Sequence, residues 1–152
     1  NSSDPHYFPT KNRSRKIKKW DLIMIDVWAK ENKKWAIYAD ITWMWFVWET
    51  VPEKIQKVWK IVSWARDDWL NLIKKKLKNN EEIKWFEVDD EVRKKIDNEW
   101  FWEFFTHRTG HSIQEEDHWD GVNMDWFEIK DDRKIIPDCW FSIEPWVYIP
   151  WE

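Results

Sequence analysis

Two glycines in a chain of 152 residues are too few for an ordinary set of tight turns, and 17 tryptophans stand beside them. Glycine enters left-handed backbone without a Cβ penalty, so sharp turns in this chain must fall on other residues. Average usage is roughly 7% Gly, and Trp and Gly together make up about one residue in eight here. The missing glycines have become tryptophans. Several indole rings forced into turns would cost more than the roughly 5–15 kcal/mol that holds a domain together. The excess therefore points to tryptophans foreign to a natural sequence, introduced by redesign or by the way the residues were assigned.

The length suits one domain, or a piece of a larger one, and 43% apolar content is enough for a core. A net charge of −4 with both signs interspersed argues against a nucleic-acid or anionic-membrane partner. The run Lys74-Lys75-Lys76-Leu77-Lys78 reads as a solvated helix end. A single cysteine, Cys139, excludes an internal disulfide, fits a reducing, cytoplasmic compartment, and reads as core rather than nucleophile. No stretch reaches transmembrane length and no signal peptide is present. The opening Asn1-Ser2-Ser3-Asp4-Pro5, with no leading Met, reads as the start of an excised segment.

Residues 1–19 are polar and irregular, with Pro5, Pro9 and a basic run. Leu22-Ile23-Met24-Ile25 is a buried-strand pattern tipped by Asp26, and residues 36–47 read as the returning strand, with Asp40 and Thr42 inside it. The two form an antiparallel hairpin that sets Asp26 and Asp40 side by side. Thr50-Val51-Pro52-Glu53 marks a helix start, with Thr50 as cap and Pro52 early in the helix. Helical spacing of Ile55, Val58, Trp59, Val62, Ala65, Trp69, Leu72, Ile73 and Leu77 carries it to about Lys78. A second helix begins near Asp89-Asp90 and ends near Asn98, and strands and loops follow from Phe104.

The residues suited to chemistry are Asp26, Asp40, the run His107-Arg108-Thr109-Gly110-His111, His118 and Glu144, in that order. Carboxylates and imidazoles on separate strands can hold a pair of hard-to-borderline divalent ions with positions open to water. Three further features join them: Tyr38-Ala39-Asp40-Ile41-Thr42, the four- and seven-residue steps from His107 to His111 to His118, and Phe141-Ser142-Ile143-Glu144-Pro145. On this ordered set the chain resembles the catalytic domain of the pita-bread metallopeptidases. That family includes Xaa-Pro aminopeptidases, prolidases, methionine aminopeptidases and creatinase, and the likeness is to the aminopeptidase P and prolidase branch.

The resemblance implies an α+β fold: a curved antiparallel sheet flanked by helices, truncated at the C-terminus. Residues 1–152 are then an incomplete catalytic domain without the family's N-terminal domain and last strands. It implies two divalent ions, manganese ahead of cobalt, iron or zinc. Asp26 would bind one ion, Asp40 bridge both, and His111 and Glu144 bind the other, with Glu144 also handling a proton. His6, His107 and His118 would contact a peptide with proline at the second position, and a full-length parent would be open to homodimer formation. The implied reaction is hydrolysis of the bond between an N-terminal residue and that proline. The rivals are a pita-bread module without catalysis, a non-peptidase hydrolase of creatinase type, and a fragment that does not function.

Two departures from the family pattern stand out. A further bridging glutamate is expected after the Glu-Pro segment, and Glu152 lies too close behind Glu144 to be it. Tryptophan also occupies places where the pattern has glycine: Trp20, Trp45, Trp48, Trp146 and Trp151, with Trp35, Trp64, Trp69, Trp85 and Trp100 as further cases. The expectation is positive φ at Trp45, Trp48, Trp146 and Trp151. Gly110, between the two histidines, is expected at a close backbone approach.

Overall fold

A computed structural model of the protein describes residues 7–150. Strand β1 (Leu22–Ala29) pairs antiparallel with β2 (Ala39–Phe46), so the apolar run continues past Asp26 rather than ending there. The register sets Asp26 opposite Thr42 and Asp40 opposite Trp28. Asp26 and Asp40 therefore share one face of the hairpin but lie on a diagonal, not directly across. The other face leaves Ile25, Ile41, Trp43 and Trp45 exposed.

Helix α1 (Glu53–Lys78) follows the expected period and buries Ile61, Ala65 and Ile73. Trp59, assigned to its apolar stripe, is exposed. Thr50 does not cap it. Pro52 is the cap residue and makes no side-chain bond, while the Gln56 side chain donates to the Val51 carbonyl at 2.7 Å. Helix α2 (Trp85–Asp97) begins four residues before Asp89. Its start is fixed by Glu87, whose carboxylate accepts the Lys84 backbone N–H at 2.6 Å. Trp85 is buried and meets Phe141 edge-on at 5.1 Å, so this tryptophan serves as core.

Beyond a 3-10 turn at Trp102–Phe104, two short strands pair antiparallel: β3 (Gly110–His111) and β4 (Asn123–Met124). The core joins Ile61, Ala65 and Ile73 to Val88, Val92 and Ile96 of α2, with Met124 from β4 and Phe105, Ile135, Val147 and Ile149 from the loops. Cys139 packs against its edge. Among the described residues no helix is long and apolar enough to cross a membrane.

Candidate metal centre

The segment around β3 is built on backbone pairing with residues 141–144. The Ser142 N–H donates to the His111 carbonyl at 2.9 Å and the Glu144 N–H to the Thr109 carbonyl at 2.6 Å. This pairing puts the His111 and Glu144 side chains together. Gly110 makes it possible, because a Cβ there would lie 2.1 Å from the Ser142 carbonyl oxygen. Its φ is not positive, so the need is close approach alone. The hairpin is tied to the same region by the Tyr38 N–H, which donates to the Gln114 carbonyl at 2.9 Å.

The result is a meeting of three segments. His111 Nε2 lies 3.4 Å from Asp40 Oδ2 and 3.0 Å from Glu144 Oε1. One donor atom from each of Asp40, His111 and Glu144 falls within 4.8 Å of the others. His111 is buried, and Asp40 is part-buried with its side chain largely covered. His111 Nδ1 faces the Ser112 carbonyl at 3.2 Å, which holds a proton there and leaves Nε2 to serve as a ligand. The Ser142 hydroxyl donates to Glu144 Oε1.

The electrostatics follow. Burial disfavours the His111 imidazolium, but the hydrogen bonds to Asp40 and Glu144 outweigh it, and its pKa is pushed up to about 10. Burial would raise Glu144, yet the bonds from His111 and Ser142 hold its carboxyl below its ordinary value. Desolvation raises Asp26, the Asp40 and Glu144 charges add to it, and the Thr42 hydroxyl, donating at 2.7 Å, opposes it. The pocket thus favours a positive charge between its carboxylates, which is the property a cation site requires. Hard oxygens with one imidazole fit a divalent ion.

The remaining expected residues are spread around this centre. His118 is mostly exposed, with its ring stacked on His111 at 4.0 Å. His107 has both ring nitrogens engaged, Nδ1 with the Arg108 carbonyl at 2.7 Å and Nε2 with the Tyr148 hydroxyl at 2.9 Å. Burial lowers the His107 pKa and raises that of Tyr148. His6, Trp151 and Glu152 lie outside the described residues.

Two aspartates were missed by sequence reasoning. Asp89 is fully buried on α2 and accepts the Thr109 N–H at 2.9 Å, the Thr109 hydroxyl at 2.6 Å and the Trp126 N–H at 2.7 Å. Arg93 donates to it at 2.8 Å and to the Phe105 and His107 carbonyls. The only sequence signal was the Asp-Arg spacing of four on a helix. Asp117 forms a second group of potential ligands with His111 and His118. Its Oδ1 is buried with no hydrogen-bond partner, and burial with the nearby Asp40 charge raises its pKa. Its place directly before His118 was the available signal.

Two carboxylates and an imidazole gathered from three separate segments are the donor set of a divalent-metal site. The chain belongs to metallopeptidase family M24, whose profile matches residues 1–152. No curated protein matches it. Among solved structures it is similar to a prolidase of Thermococcus sibiricus (26% identity, TM-score 0.79), covering 98% of this chain and 36% of that one. A dipeptidase of Pyrococcus horikoshii OT3 gives 26% identity and a TM-score of 0.77, covering 98% and 37%. A prolidase of Pyrococcus furiosus, at 24% identity and a TM-score of 0.78, covers 98% and 39% and speaks for the fold. The chain spans less than two-fifths of the length of these proteins.

Proposed function

We propose that this chain is the catalytic part of a metal-dependent peptidase that cleaves between an N-terminal residue and a following proline, as an Xaa-Pro aminopeptidase or dipeptidase. The convergence of Asp40, His111 and Glu144 carries the reading. Membership of a metallopeptidase family and the likeness to a prolidase and a dipeptidase at 26% identity support it. In this reading residues 1–152 form one catalytic domain, and the β1–β2 hairpin, β3–β4 and residues 141–144 belong to a single curved antiparallel sheet. A single cysteine suits work in a reducing, cytoplasmic setting.

Asp40, His111 and Glu144 would hold one ion and Asp26 would help to hold a second, and this donor set would favour manganese over cobalt, iron or zinc. Bound ions of this kind polarise a carbonyl and make a water acidic near neutral pH. Glu144 is the proton acceptor. The bonds from Ser142 and His111 keep it ionised and oriented, as a general base must be. His118, exposed at the edge of the site, meets the substrate. His107 contacts substrate only by exchanging its bond to Tyr148, so it also orients that hydroxyl.

The test is Mn²⁺ titration of metal-free protein by calorimetry, with hydrolysis of an Xaa-Pro peptide alongside. Two ions should bind, and Glu144→Gln should lower kcat by roughly 10²–10⁴-fold. A folded protein that takes up no Mn²⁺ would sink the proposal.

A further inference from the structure

Five non-glycine residues have positive φ among those described: Trp20 at 74°, Trp35 at 66°, Asn80 at 55°, Trp100 at 67° and Asp138 at 63°. Asn and Asp tolerate this region because their short polar side chains bond locally. Tryptophan has no such excuse. Trp45, Trp48 and Trp146, expected to carry this strain, stay out of the left-handed region, and Trp151 lies outside the described residues. The strain falls instead on Trp20, Trp35 and Trp100.

Each of the three occupies a position that backbone geometry reserves for glycine. Helix α2 ends in a Schellman motif, with the Phe101 N–H donating to the Ile96 carbonyl at 3.2 Å and the Trp100 N–H to the Asp97 carbonyl at 2.7 Å. Trp100 is its left-handed residue and is 87% exposed. Helix α1 ends in the same motif, closed by bonds from Glu81 to Lys76 and from Asn80 to Leu77, and there the left-handed residue is Asn80. Trp20 and Trp35 are third in turns closed by Asp21 N–H to Lys18 carbonyl and Ala36 N–H to Lys33 carbonyl, both 3.2 Å. Lys19 and Lys34 before them are not left-handed, which is the type II pattern, whose third residue is ordinarily glycine. Both rings are more than half exposed, so no core packing accounts for the choice.

We infer that the protein made in its own host carries glycine where Trp20, Trp35 and Trp100 stand, through a UGA codon decoded as glycine. Different genetic codes read UGA as stop, tryptophan or glycine, and it differs from the glycine codon GGA by one base. One decoding rule accounts together for the tryptophan excess, the glycine deficit and the placement of three bulky residues in left-handed turns. Redesign gives no reason for the placement. The inference does not depend on the proposed activity. It bears on the metal centre all the same, because Trp20 and Trp35 sit at the two ends of the hairpin that carries Asp26 and Asp40.

The decisive test reads the gene and the native protein. UGA at codons 20, 35 and 100, with peptides of the source protein having the mass of glycine there, is the expected result. UGG at those codons, or tryptophan in those peptides, overturns the inference. A recombinant comparison tests the backbone argument separately. The triple variant W20G/W35G/W100G should raise Tm by roughly 5–15 °C, while the alanine triple W20A/W35A/W100A, which keeps the left-handed strain, should raise it far less. Equal shifts in the two would show that ring removal, not backbone conformation, is responsible, and would count against glycine as the fitted residue.

Discussion

Gly110 shows how one missing carbon positions the candidate metal centre. Its Cα hydrogen faces the Ser142 carbonyl, and the two backbones approach closely enough to pair His111 with Ser142 and Thr109 with Glu144. Gly110→Ala inserts a methyl 2.1 Å from a backbone oxygen that cannot rotate away. The expected cost is about 1–3 kcal/mol in urea unfolding, as for other overpacked sites, with a weaker Mn²⁺ affinity because His111 and Glu144 separate. Gly121 supplies the comparison. A Cβ there meets the Ser112 hydroxyl at 2.5 Å and Cβ at 3.0 Å, and a serine side chain gives way more easily than a carbonyl. Gly121→Ala should therefore cost less, and equal costs would remove the special role given to Gly110.

At the scale of elements, α2 is the part that holds the histidine segment in place. Asp89 accepts four hydrogen bonds, from Arg93 on its own helix, from Thr109 twice and from Trp126. Asp89→Ala leaves the Arg93 Nε–H, the Thr109 amide and hydroxyl and the Trp126 amide without their acceptor. The expected loss is about 3–5 kcal/mol, read from denaturant midpoints at constant m. A loss under about 0.5 kcal/mol, the level of an ordinary surface change, would show that the network is not structural. This element also marks the limit of what the sequence discloses. Helix α1 was legible because apolar residues recur at helical spacing over its 26 residues. Asp40, His111 and Glu144 were singled out because they sit in an ordered pattern of motifs, while their meeting point depends on how distant segments pack. The start of α2 was not legible: Lys84 is no usual cap, and Glu87 fixes the end by reaching back to a backbone N–H. Nor was the role of Asp89, whose hydrogen-bond donors Thr109 and Trp126 lie 20 and 37 residues along the chain. Asp26 and Asp40 were expected side by side; they share a face but are offset on a diagonal, by a register that the turn between the strands sets.

For the whole molecule, the candidate metal centre ties stability to pH. In metal-free protein the folded state holds the His111 proton up to about 10, against an ordinary value of 6.5. A folded pKa above the unfolded one gives stability that is fully present below 6.5 and drains away as pH rises through about 10. Glu144 has the opposite sense. Its folded pKa lies below the ordinary 4.5, so its contribution is present above that value and is lost as pH falls. Asp26, raised in the fold, offsets part of the Glu144 effect on the acid side. The two main limbs enclose a stability maximum between 4.5 and 6.5 for the metal-free chain, and His107, whose lowered folded pKa costs stability as pH falls below 6.5, moves it toward the upper end. A divalent ion held by these side chains would replace the His111 proton, so the alkaline limb should flatten when Mn²⁺ is present. At a free concentration of 100 Kd the ion should add about 2.7 kcal/mol. The measurement is the urea midpoint across this range, once with EDTA and once with Mn²⁺. A flat midpoint above pH 6.5 in EDTA means that His111 does not hold its proton between Asp40 and Glu144. Parallel alkaline declines in both series mean that the ion does not take the place of that proton, and the centre formed by these three side chains is then not where the metal binds.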